Sequence, residues 1–148
     1  LVSIKFNPSG DHDIISKTKV GLSPEGFDLS PDGNYAIVAN MRRTYGPKAF
    51  WFVPARTGAS LSLVKVDPET GMLKTLGKEY LFEGVLPEDA IFDTESNSIA
   101  VAVYHEQDEL FPTHGWLDLW ELKDEQLVKT AEKLPLTRGV HNLLLIEK

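Results

Sequence analysis

A β-hairpin is written into residues 26–40, GFDLSPDGNYAIVAN. Phe27 and Leu29 alternate with polar residues, and Tyr35-Ala36-Ile37-Val38-Ala39 forms a short apolar run. Between them Ser30-Pro31-Asp32-Gly33-Asn34 supplies the turn: proline presets φ, aspartate bonds nearby backbone, and glycine accepts positive φ. Two short runs parted by such a cluster predict strand, tight turn, strand.

The hairpin belongs to a larger unit that recurs. Leu1-Val-Ser-Ile-Lys5-Phe-Asn-Pro8 aligns with Leu61-Ser-Leu-Val-Lys65-Val-Asp-Pro68, and more loosely with Leu117-Asp-Leu-Trp-Glu121-Leu-Lys123. Each block is an alternating strand, followed by a run holding Lys17-Thr18, Lys74-Thr75 or Lys129-Thr130. A break and a new strand come next, at Pro24-Glu25-Gly26, at Pro87-Glu88-Asp89 and at Thr137-Arg138-Gly139. The unit is four short strands repeating at roughly 50 to 63 residues, the order of a β-propeller blade. Residues 122–134 compete, because Leu127, Val128, Ala131 and Leu134 fall near helical spacing. The repeat register assigns them to a strand.

The expected fold is therefore all-β, with propeller blades of four antiparallel strands and an incomplete ring. Residues 1–23 supply outer strands of one blade, 24–82 and 83–134 are full blades, and 135–148 hold the innermost strand of the next or closing blade, at Val140 to Glu147. A propeller needs about four to eight blades. The partners expected first are the remaining blades, from further sequence of the same chain or from other copies. The start at Leu1, inside a strand-like run, fits a fragment or a processed product.

With 148 residues and a net charge of −7, the chain can bury a real core but lacks the positive field that nucleic acid or an anionic membrane surface requires. The absence of cysteine removes disulfides, thiolate nucleophiles and cysteine metal sites. No apolar run reaches membrane-spanning length, so no membrane span is expected.

Pro24-Glu-Gly-Phe-Asp-Leu-Ser-Pro-Asp-Gly-Asn-Tyr-Ala-Ile-Val-Ala-Asn40, with the Val66-Asp-Pro-Glu-Thr-Gly-Met-Leu73 turn, resembles the repeat of YVTN-type and lactonase-type seven-bladed β-propellers. The next unit matches loosely, since Asp93-Thr-Glu-Ser96 replaces Ser-Pro-Asp-Gly. The resemblance implies a binding or scaffold module that recognises a small ligand or a protein partner, in a bacterial periplasmic or extracellular setting. The alternatives it implies are a lactonase-type hydrolase or muconate-lactonising-like enzyme and, after that, a structural surface-layer repeat; the lack of any defined catalytic motif favours the non-enzymatic module.

Loop lengths select the functional end. Alternating strand direction gathers the short turns, 30–33, 67–71, 93–97 and 123–126, at one end. The long loops, 41–59 and 105–115, share the other with the connections between blades. The first carries Arg42, Arg43, Lys48 and Arg56 with Tyr45, Phe50, Trp51 and Phe52, a basic and aromatic set suited to a carboxylate or phosphate ligand. Its alternative role is packing, with solvated arginines. The second offers His105, Glu106, Asp108, Glu109 and His114; His105, Glu106, Asp108 and His114 are candidates for a divalent metal, although the spacing matches no defined site and a solvated acidic loop is the preferred reading. No cofactor is otherwise predicted. Glu25, Glu88 and Arg138 hold equivalent places at the start of each innermost strand, with Asp89 and His141 beside them. Such a rim can bind a small acid or set a general base beside an anion clamp; it can also be turn capping and internal pairing. Glu88, His105, Arg138 and His141 are the catalytic candidates, and Glu25, Arg42, Arg43, Tyr45, Trp51, Arg56 and Asp89 the ligand-binding ones.

Overall fold

A computed structural model describes residues 1–44, 58–106 and 112–146. Ten strands follow one another in it: β1 (Val2–Phe6), β2 (His12–Lys17), β3 (Pro24–Leu29), β4 (Tyr35–Asn40), β5 (Ala59–Val66), β6 (Leu73–Phe82), β7 (Val85–Phe92), β8 (Ser98–His105), β9 (His114–Lys123) and β10 (Gln126–Thr137). No helix occurs among the described residues. Two complete blades form, in the orders β3-β4-β5-β6 and β7-β8-β9-β10, with β1-β2 as a two-stranded partial blade. All pairings are antiparallel. Among the described residues the three sheets do not close a ring.

The tight turn forms as its residues dictate. Ser30 N–H donates to Tyr35 O at 2.8 Å and Ser30 Oγ accepts from Tyr35 N at 2.9 Å. Asp32 Oδ1 accepts from Ser30 Oγ at 2.6 Å and from Asn34 N at 3.0 Å, while Gly33 takes φ 75°. In the next blade Asp93 Oδ1 replaces Ser30 as the acceptor, receiving Asn97 N and Ser98 N. The two turns touch, Asp32 N donating to Ser96 Oγ at 3.2 Å.

The core lies between the two complete sheets. Ile37, Leu61, Leu63 and Phe82 from one meet Phe92, Ile99, Val101, Val103, Trp116 and Trp120 from the other. Each aliphatic side chain buried there contributes about 1.5–3 kcal/mol. β4 and β5 are buried on both faces, so Ser60 and Ser62, which alternate with Leu61 and Leu63, lie inside as well.

Residues 126–137 are strand, as the repeat register requires. The helical spacing of Leu127 and Ala131 coincides with a register shift between Lys129 and Lys133, which displaces later side chains along the ladder. β10 runs to Thr137, so the expected division after residue 134 falls inside it. In the segment expected to hold an innermost strand, Val140 to Glu147, the described residues 138–146 pair with no strand. A strand is defined by its ladder, and this segment is instead tied by separate bonds, Gly139 N to Tyr104 O at 3.1 Å and Leu143 N to Asp89 Oδ2 at 3.0 Å.

Candidate functional site at the long-loop end of the innermost strands

The starts of β3 and β7 are built alike. Ser23 and Leu86 both take left-handed φ, 52° and 53°, immediately before Pro24 and Pro87. Non-glycine residues held there cost on the order of 1–3 kcal/mol each. A bulge follows in both strands: Pro24 pairs with Asn40 but Phe27 with Val38, and Pro87 pairs with Val103 but Asp89 with Ala102. The extra residues include Glu25 and Glu88. A bulge re-aims the side chain it carries, so the repeat presents a carboxylate at the same point of successive blades. Gly26 allows the blades to approach there, since a Cβ on it would stand 2.5 Å from Glu88 O and 2.7 Å from Asp89 Cα.

Around Glu88 several of the expected residues converge. Its side chain is 13% exposed, and His141 Nε2 stands 3.9 Å from Glu88 Oε2. Burial pushes the Glu88 carboxyl above the usual glutamate range; His141 opposes that rise and the nearby Glu25 carboxylate adds to it. Tyr104, at the end of β8, links the rest: the His141 ring meets it edge-on at 6.4 Å, the Arg138 guanidinium lies 5.6 Å from its centroid, and the His105 ring is 5.8 Å away. Arg138 and His141 are held in place through the backbone, by Arg138 N to Thr113 O at 2.9 Å and by Gly139 N to Tyr104 O.

Asp89 stands beside the site with both oxygens engaged. Oδ1 accepts from Ala90 N at 2.9 Å and Oδ2 from Leu143 N. Those bonds fix the segment that carries His141 and leave Asp89 a positioning part.

The remaining candidates separate. Arg42 turns into its own blade, donating to Gly58 O at 3.3 Å and standing 3.6 Å from Glu79 Oε2. Arg43 follows it on the surface. Tyr45, Lys48, Phe50, Trp51, Phe52 and Arg56 lie outside the described residues, as do Asp108 and Glu109. Of the metal candidates, His114 Nδ1 pairs with Glu106 Oε1 at 3.7 Å, and His105 Nδ1 turns to the Glu106 carbonyl. Among the described residues no group of three or more His, Asp or Glu side chains gathers to hold a metal ion.

Sequence reasoning missed Tyr104 and Thr44. Thr44 is fully buried; its Oγ1 donates to Met41 O at 2.8 Å and accepts from Leu86 N at 3.2 Å, clasping the first long loop to the next blade. Tyr104 follows the last apolar residue of β8, and that position in the repeat was its available signal.

No protein-family model and no curated protein matches this chain. Chemically, the arrangement offers a half-buried carboxyl that retains a proton more readily than usual, an imidazole able to exchange it, and an aromatic platform topped by a guanidinium. That set can accept hydrogen bonds from a small polar ligand and move a proton at Glu88.

Proposed function

We propose that this chain is part of a β-propeller of the YVTN and lactonase type, acting as a binding module for a small ligand at the long-loop end of its innermost strands. The observation that carries the reading is the meeting of Glu25, Glu88 and His141. They come from successive innermost-strand segments, two of them on matching bulges, at the end of the fold where the long loops gather. Binding sites favour such loop ends on rigid scaffolds. In this reading further blades complete the ring, from more of the same chain or from other copies. Exposed Phe27 and Leu29 on β3, and the open apolar groove lined by Ile91, Ala100, Leu119 and Leu145, support that extension.

A second reading, hydrolysis of a lactone, is favoured by one feature. A carboxyl raised by burial beside an imidazole is a pair suited to acid–base work on a ring ester. The two separate in one experiment on the full chain, with a panel of small sugar acids and sugar lactones as probes. Calorimetric binding lost in both Glu88→Gln and His141→Ala, without turnover of any lactone, supports the binding module. Turnover lost in the same variants supports the hydrolase. Binding and turnover that survive both substitutions contradict a site at Glu88.

A further inference from the structure

Away from the rim, the seam between the two complete blades contains polar atoms that its packing leaves unused. Trp116, Asp118 and Trp120 alternate along β9 and point to the same side, into the seam. They are 6%, 0% and 4% exposed. Among the described residues, Trp116 Nε1, Asp118 Oδ1 and Trp120 Nε1 have no hydrogen-bond partner. The other carboxylate oxygen, Oδ2, is held by Lys129 Nζ at 2.7 Å, and that ammonium also lies 5.6 Å from the Phe82 ring and 5.8 Å from the Trp120 ring.

The repeat supplies its own control. Lys65 pairs with Tyr35 and Glu121 with Ser98, so Ser60 and Ser62 stand in β5 where Trp116 and Asp118 stand in β9. In the seam of the partial blade the serines are satisfied by protein: Gly21 N donates to Ser62 Oγ at 3.0 Å, and Ser60 Oγ donates to Glu79 Oε2 at 2.6 Å. The equivalent positions of the next seam offer one donor, Trp116 Nε1, and one acceptor, Asp118 Oδ1, with nothing to meet them, and Trp120, where β5 has Val64, adds a second donor. A buried donor or acceptor left unmade costs the desolvation of that group, which native interiors avoid by enclosing water.

We propose that the seam between the two complete blades is a binding site for ordered internal water, held by the Trp116 and Trp120 indole N–H groups and by Asp118 Oδ1. The chemistry selects this guest. A cation meets the Lys129 ammonium and two N–H donors, an anion meets the Asp118 carboxylate, and a neutral molecule that both donates and accepts meets a partner for each of its groups. In the seam of the partial blade protein groups meet both serines, although Asn40 Oδ1 there is also buried without a partner.

Water cross-peaks at the indole protons test it. The full chain carries Trp51, Trp116 and Trp120, so Trp51→Phe leaves only the two indoles of interest in the spectrum. The expected result is a direct water cross-peak at both remaining indole N–H groups, with the sign given by long-lived bound water in both the laboratory and rotating frames. An indole that shows no such cross-peak overturns the proposal, whether its neighbour is void or a protein group. If Trp51→Phe does not fold, the same spectrum on the unsubstituted chain, with Trp120→Phe assigning one signal, gives the same decision.

Discussion

Lys129 answers a charge that would otherwise be stranded. Asp118 is fully buried, and the ammonium 2.7 Å away is its counter-ion. Breaking such a pair from one side is expensive because the remaining charge stays buried. Lys129→Met is therefore expected to destabilise the fold by roughly 3 kcal/mol in urea denaturation, and replacing Asp118 by leucine in the same chain is expected to recover most of that loss. Glu88 makes the opposite case. Its folded-state pKa is raised, so the folded state holds the proton more tightly than the unfolded chain. The stability this gives is fully present below the unfolded glutamate pKa and is lost as pH rises through the folded one. Glu88→Gln is expected to raise the thermal midpoint at neutral pH, with the gain shrinking as pH falls into the acid range; an equal gain at every pH contradicts the shift. In the sequence the repeat aligns Glu25, Glu88 and Arg138 and sets His141 beside them, which is why their neighbourhood could be anticipated. The burial of Ser60, Ser62 and Asp118 could not, because polar residues alternating with leucine read as a solvent face, and only the neighbouring sheet makes that face interior.

Among the elements, the innermost strands carry most of the consequence. Each begins with a strained residue, a proline and a bulge, and the bulge aims the glutamate. Gly26 is a close contact between the two copies, and two of the atoms a side chain would strike, Glu88 O and Asp89 Cα, are backbone and cannot swing aside. Gly26→Ala is expected to cost about 1–3 kcal/mol, measured by denaturation, and to shift the amide signals of Glu88 and Asp89 more than those of the Asp93 turn. The hairpin of β3 and β4 was legible from its turn chemistry alone. β10 was legible only through the repeat, since its own spacing points to a helix that the ladder with β9 overrides. The apolar residues of segment 138–146 suit a strand, but a ladder needs a neighbour that this sheet order does not provide.

For the molecule as a whole, the antiparallel order gives the sheets two ends. The short turns hold one together, through Asp32 and Ser96 and through the ion pair of Lys65 with Glu125. The other holds the connections between blades and the Glu25, Glu88, Tyr104 and His141 group. The proposed site of recognition is this second end. Amide chemical-shift mapping of the isotopically labelled chain, titrated with small sugar acids and sugar lactones, tests it most directly. Saturable shifts at Glu25, Glu88, Tyr104, Arg138 and His141, absent in Glu88→Gln, are the predicted result. Shifts gathered at the Ser30 to Gly33 and Asp93 to Asn97 turns, or no saturable shift across the panel, contradict it.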